Sequence, residues 1–227
     1  MNVKDIKTIA MYGAGTIGGG FAAYFALKGL NVNVYVRSEA KHPERIIVGH
    51  PFNPAYLLPL IEICGGEKTD PAVIEAAREF YKMYDKAPCV LKKEKNGFIA
   101  NRLMHALWRE EIALVTEGVC SMADADDAWT FGPGIRLAAF GPAMNYELGG
   151  GDLGLKGCAI KFGAMTDAVF ADISDMKKVP DTWADQSGEE IVTEMADFPE
   201  VIGHTKPEIA SFRDNLIINV LKMHDRM

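Results

Sequence analysis

An apolar run, Lys7–Tyr12, leads straight into Gly13-Ala14-Gly15-Thr16-Ile17-Gly18, and the helix-forming stretch Ile17–Lys28 follows. This succession of strand, glycine-spaced turn and helix constrains the fold more than any other feature. The first glycine permits a tight turn, the second lets backbone approach a ligand, and the third allows close helix–strand packing. The helix start gathers unpaired amide donors and a partial positive charge, which suits a pyrophosphate. Gly29 stands where a helix stop is expected, and Val32–Val36 reads as a second strand. A dinucleotide-binding turn is therefore expected, with Gly13, Gly15, Thr16, Ile17 and Gly18 as contacts; a plain strand-to-helix turn is the alternative.

The end of the second strand bears on which dinucleotide. An acidic side chain there would bind the ribose 2′-hydroxyl of NAD, whereas arginine accommodates a 2′-phosphate. The chain has Val36-Arg37-Ser38, with Glu39 next. Arg37 and Ser38 are candidate cofactor ligands, one a charged bidentate donor and the other a hydroxyl. A solvated arginine after a strand is the competing reading, so the cofactor stays open as NAD or NADP.

Further strands are expected at Ile46–Val48, Leu60–Cys64 and Cys89–Lys92. Pro71–Lys86 is expected to be helical, because Val73, Ile74, Ala77, Phe80 and Tyr81 recur at three- and four-residue steps. From Phe98 the pattern changes to helices: Phe98–Glu117, Met122–Phe131, a break at Gly132–Gly134, and a last helix at Ile209–Lys222. The polar, proline-containing stretch Ser174–Pro199 reads as a surface excursion. Strands followed by helices predict an α/β fold. A Rossmann-type dinucleotide-binding domain would occupy residues 1–96 and an all-helical C-terminal domain residues 97–227.

A net charge of −7 argues against a nucleic-acid or anionic-membrane surface. Lys28, Asn31 and Asn33 interrupt the most apolar early segment, so no membrane span is expected. The first strand begins too early to leave room for a signal peptide. Cys64, Cys89, Cys120 and Cys158 lie far apart, with no CxxC pair and no histidines at zinc spacing. They read as reduced core thiols, with no metal site, in a cytoplasmic protein.

His50 opens a stiff turn, His50-Pro51-Phe52-Asn53-Pro54, and is expected just past a strand, where α/β crevices bind ligands. Alone it would be a structural histidine. Glu62 changes that reading, because it interrupts the apolar run Leu60–Cys64 and so is expected to be at least partly buried. A buried carboxylate needs a partner, and imidazole is a natural one. Such a pair fixes the ring tautomer and suits a general base near neutral pH. Asn101 falls in the first turn of the long helix, where its amide would donate to a substrate oxygen or simply cap the helix. Arg102 beside it reads equally well as a surface ion pair.

The order of the glycine loop, HPERIIVGHPFNP (His42–Pro54), PLIEIC (Pro59–Cys64) and NGFIANRL (Asn96–Leu103) resembles the 3-hydroxyacyl-CoA dehydrogenase family. The likeness runs from about Lys7 to Gly151. It implies oxidation of an L-3-hydroxyl by a nicotinamide cofactor, with His50 as base, Glu62 orienting it and Asn101 contacting the substrate oxygen. It also implies a homodimer formed through the helical domain. Within the family, GHPFNPAYLLPLIEICGGEKT and Gly134-Ile135-Arg136-Leu137 resemble the carnitine and gulonate dehydrogenase branch. Arg136 would then pair with a free substrate carboxylate, or form a structural salt bridge. Trp108 would be one wall of a cage for a quaternary ammonium, although burial in the core is the stronger expectation for it. A non-catalytic, crystallin-like relative that keeps the fold, and a redox-sensing dinucleotide binder, are the other readings.

The chain departs from that family between the second strand and His50. Family members carry a much longer span there, with further strands, ribose contacts and a catalytic serine that has no counterpart here. Nine residues separate Val36 from Ile46, whereas a parallel crossover needs about a dozen. Extended, they reach at most ~30 Å, against a return along a strand of ~17 Å and past neighbours spaced ~4.8 Å apart. Either a segment of the parent molecule is missing from the sequence, or this is a shortened variant with a rearranged sheet and no cofactor binding. The first is favoured, with the join between Arg37 and Glu44, nearest Ala40–Lys41. The Rossmann-type domain is accordingly expected to be incomplete.

Overall fold

The computed structural model describes residues 3–12, 16–35 and 42–226. Contacts divide the chain into two compact units, Met1–Leu103 with Asp214–Met227, and Met104–Arg213.

The first unit opens with a 3-10 turn at Val3–Asp5, followed by β1 (Thr8–Tyr12), α1 (Thr16–Leu27) and β2 (Asn31–Tyr35). Strands β1 and β2 pair in parallel from Thr8↔Asn31 to Tyr12↔Tyr35, with α1 as the crossover. Gly29 ends α1 as expected: its φ of +84° lies in the left-handed region, and its amide donates to the Ala26 carbonyl at 3.0 Å.

After a second 3-10 turn (Pro43–Arg45), β3 (Ile47–Pro51) runs antiparallel to β4 (Leu60–Gly65). Helix α2 (Pro71–Met83) then carries the chain back to β5 (Ala87–Val90), parallel to β4. Asp70 caps α2 by accepting from the Ala72 amide at 2.8 Å, with Pro71 at the first helical position. The strand order is β3-β4-β5. Strand β4 is central and buried along most of its length, as a pleat covered on both faces requires.

Among the described residues the two sheets are not joined by a hydrogen-bonded ladder. Among the described residues the doubly wound sheet is thus incomplete, in line with the short connection. The proposed join at Ala40–Lys41, and the Cα spacing that would test it, lie outside the described residues. Packing links the sheets instead. Phe21, Phe25 and Leu30 meet Ile61, Ile63 and Phe80 in one core, with Phe25 and Phe80 ring centroids 5.6 Å apart. Full burial of side chains such as Ile61 and Ile63 contributes about 1.5–3 kcal/mol each.

From Ala100 onward the described elements are helical: α3 (Ala100–Thr116), α4 (Met122–Trp129), α5 (Ile135–Ala139), α6 (Pro142–Gly149), α7 (Gly154–Asp172), α8 (Trp183–Asp197) and α9 (Lys206–Met223). The expected break at Gly132–Gly134 is a kink, a π turn over Thr130–Gly134 in which Gly132 leaves helical geometry. Ser174–Pro199 is not a surface excursion. It contains α8, and Trp183 packs with Ile112 and Met122 to form the second unit's core. The polar faces of α8 hid an amphipathic helix whose anchor is its first residue.

The cysteine expectation also needs correcting. All four are free, but only Cys64 and Cys158 are buried; Cys89 is exposed and Cys120 intermediate. Cys89 lies near the end of the short strand β5, where it and Val90 are both exposed. No helix among the described residues is long and apolar enough to cross a membrane.

Candidate acid–base site

His50 lies inside β3 rather than just beyond a strand, as had been expected. Antiparallel pairing sets it directly opposite Glu62 of β4. Directly opposed residues place their side chains on one face with Cβ atoms ~5 Å apart. The two groups meet accordingly: His50 Nδ1 and Glu62 Oε2 are 3.0 Å apart. Glu62 is fully buried, and the imidazole is about a quarter exposed.

The other carboxylate oxygen is also occupied. Glu62 Oε1 accepts from the amides of Ile99 at 2.7 Å and Ala100 at 2.9 Å. These are among the first amides of α3, which lack partners within their own helix. A strand-borne carboxylate therefore caps α3 and faces the positive end of its dipole. The approach depends on backbone shape, since Gly97 and Phe98 both have positive φ, +79° and +49°. For a non-glycine residue that conformation is uncommon. The same turn lays the Phe98 ring on the imidazole, with centroids 5.0 Å apart and planes within 9°.

Burial by itself would raise the Glu62 carboxyl. Hydrogen bonds from the Ala100 amide, the His50 ring and the Ile99 amide outweigh it and hold the group below its ordinary value. Glu62 is thus a carboxylate at neutral pH and can only accept, so His50 Nδ1 carries the proton. That leaves Nε2 as the ring nitrogen able to take a proton from a bound molecule.

Asn101 sits in the first turn of α3, adjoining the amides that Glu62 caps, as expected from sequence. Arg102 makes no ion pair among the described residues; its guanidinium donates to the Asn96 carbonyl at 3.3 Å. Thr16, Ile17 and Gly18 are the first residues of α1, at the C-terminal end of β1. That is the part of a strand–helix–strand unit at which a pyrophosphate is expected. Gly13, Gly15, Arg37 and Ser38 lie outside the described residues.

Two further candidates belong to the second unit. Trp108 is not a core residue; it is 42% exposed on α3, edge-on to the His105 ring. Arg136, on α5, is exposed, with no salt bridge among the described residues. No group of three His, Cys, Asp or Glu side chains among the described residues could hold a metal ion.

Sequence reasoning missed Phe98 and the two amides. Nothing in the residue types announces a left-handed phenylalanine. Only the neighbouring glycine hints that the turn is special.

Fold and dyad together define an α/β protein with a buried-carboxylate acid–base pair beside a helix start. A family model for the NAD-binding domain of 3-hydroxyacyl-CoA dehydrogenase matches residues 36–95. The model for the C-terminal domain of the same enzymes matches residues 97–197. An L-carnitine dehydrogenase from a Pseudomonas species is 40% identical over 81% of this chain and 55% of its own length. One from Bacillus cereus is 32% identical over 84% and 56%.

Among solved structures, a 5-formyl-3-hydroxy-2-methylpyridine-4-carboxylic acid 5-dehydrogenase, an NAD+-dependent dismutase, superposes with a TM-score of 0.66. It shares 22% identity over 96% of this chain and 72% of that one. A 3-hydroxyacyl-CoA dehydrogenase from Archaeoglobus fulgidus gives a TM-score of 0.52 at 19% identity, over 99% and 79%. Both show likeness of fold. The chain belongs to the 3-hydroxyacyl-CoA dehydrogenase family. It spans about half the length of the L-carnitine dehydrogenases it matches.

Proposed function

We propose that the chain is the core of an NAD(P)-dependent oxidoreductase acting on the L-3-hydroxyl of a 3-hydroxyacyl-CoA or a small carnitine- or gulonate-like 3-hydroxy acid. The observation that carries this reading is the His50–Glu62 pair, its carboxylate tied at 2.7 and 2.9 Å to the start of α3. His50 Nε2 accepts the hydroxyl proton, and Glu62 holds the ring in the required tautomer and stabilises the imidazolium that results. Asn101 donates to the substrate oxygen as it becomes a carbonyl. In the reverse direction His50 returns the proton.

A nicotinamide, when bound, supplies the hydride acceptor. Gly13, Gly15, Thr16, Ile17 and Gly18 would hold its pyrophosphate, and Arg37 and Ser38 the adenosine ribose or its phosphate. Arg136 is assigned to a substrate carboxylate and Trp108 to a substrate cation. The relatives named L-carnitine dehydrogenase support the small-acid branch. Residues 1–96 form the dinucleotide-binding domain, with a segment missing near residues 40 and 41. Residues 97–227 form the helical domain for substrate and homodimer contact, with residues 97–103 and 214–227 packed in the first compact unit. The protein is placed in the cytoplasm.

A second reading has a specific observation behind it. The two sheets, unjoined among the described residues, favour a relative that keeps the fold without turnover. Steady-state assay of NAD and NADP against carnitine, gulonate and acetoacetyl-CoA separates the two, with His50→Gln as control. Turnover that falls at least about a hundredfold in the variant supports the dehydrogenase. Activity retained in His50→Gln removes His50 as base, and cofactor binding without turnover of any substrate selects the second reading.

A further inference from the structure

The first unit contains a cavity of about 540 Å³ between the C-terminal parts of α1, α2 and α9 and the turn before β4. Its walls include the rings of Tyr24 and Tyr56. Its charged lining is Lys28, Lys82, Lys86 and Arg226 against Asp85 and Asp225, an excess of two positive charges. That excess stands out in a chain whose net charge is −7.

Lys86 is the unusual member. Only 3% exposed, it runs inward from the left-handed residue Asp85 at the head of β5. Its ammonium donates to the carbonyls of Ala55 at 3.2 Å and Leu58 at 3.4 Å, and lies 3.7 Å from the centre of the Tyr24 ring. Among the described residues it has no carboxylate partner. The adjacent Asp85 is taken by Lys28 at 2.8 Å. Burial, and next the Lys28 charge, bring the Lys86 amine down to about 8. A buried cation held only by neutral groups is costly, and an anion brought near would offset that cost. Arg226 lines the same cavity, and its guanidinium has no partner among the described residues. It can offer an oxyanion a bidentate, charge-assisted contact.

We propose that this cavity is an anion site, taking a small molecule through a phosphate or carboxylate group. Arg226 supplies the hydrogen bonds, Lys86 the buried charge, and the tyrosines the walls for whatever the anion carries. The cavity volume suits a compact metabolite. None of this depends on the dehydrogenase reading, because neither His50 nor the glycine loop takes part.

The test is titration of the 15N-labelled full chain with inorganic phosphate, and separately with acetate, at constant ionic strength and pH 7. Saturable shifts of the Lys28, Asp85 and Arg226 amides are expected, and the anion that saturates at lower concentration names the group. Arg226→Gln, at an exposed position, should weaken binding about tenfold, the value of one hydrogen bond to a charged group. Lys86→Met should do the same; if that variant does not fold, Arg226→Gln decides. Shifts that stay linear for both anions, or equal affinity in Arg226→Gln, overturn the proposal.

Discussion

Replacing Glu62 by glutamine changes one atom and tests how the site is held together. The carboxylate makes three hydrogen bonds, to His50 and to the Ile99 and Ala100 amides, with no water contact. Glutamine's single carbonyl oxygen can keep both amides, as neutral bonds weaker by roughly 1 kcal/mol each. Its NH2 then faces the Nδ1 proton, so the imidazole must flip tautomer or lose its partner. The total expected loss is about 2–4 kcal/mol at pH 7. The sign with pH follows from the lowered Glu62 carboxyl. Its contribution is fully present above the unfolded value of about 4.3 and disappears as pH falls through the lower folded value. The gap between wild type and Glu62→Gln should therefore narrow below about pH 4. Urea unfolding followed by circular dichroism measures the gap, and hydrogen exchange at Ile99 and Ala100 shows whether the α3 cap has loosened. Equal stability at pH 7, or a gap indifferent to acid, would refute the capping argument.

Phe98 should separate backbone from ring. Phe98→Gly relieves the left-handed conformation and should be more stable than Phe98→Ala by about 1 kcal/mol; urea midpoints show the difference, and both variants should lower kcat more than they raise KM by freeing the imidazole. Gly49→Ala puts a methyl group onto the Tyr81 hydroxyl and should cost about 1–3 kcal/mol, read as a fall in thermal midpoint. Burial pushes Tyr81 up to about 12, so stability should decline as pH rises from the unfolded value of about 10 through 12. Tyrosinate absorbance should show a late-titrating component from Tyr81 that moves earlier in Gly49→Ala. Ile63→Ala, in the fully buried centre of β4, should cost about 2–5 kcal/mol.

Much of the site was legible in one dimension because strand chemistry is local. Glu62 sits in an apolar run that only a central strand can bury, and a buried acid needs a partner. His50 was the available base, and an antiparallel register with its midpoint between them sets the two opposite each other. The helix stop at Gly29 was readable because backbone conformation there depends on one residue. The nine-residue connection also announced that a full doubly wound sheet could not form, and among the described residues the two sheets stand unjoined.

Other features are set by contacts between residues distant in sequence, which no local pattern encodes. The place of His50 within β3 rather than beyond it depends on how far the β3–β4 ladder extends. The Phe98 stack arises from a turn whose strain is held by the amides it delivers to Glu62, thirty-seven residues away. Lys86 reads as an ordinary surface lysine until α1 and the 55–58 turn close around it. The buried role of Trp183 emerges only when α8 meets α3 and α4. By itself the sequence determined the succession of strands then helices, the dyad and the family likeness, because each follows from short-range pattern. Tertiary packing decided which charges are buried and what faces them, because burial belongs to the assembled surface and not to any one segment.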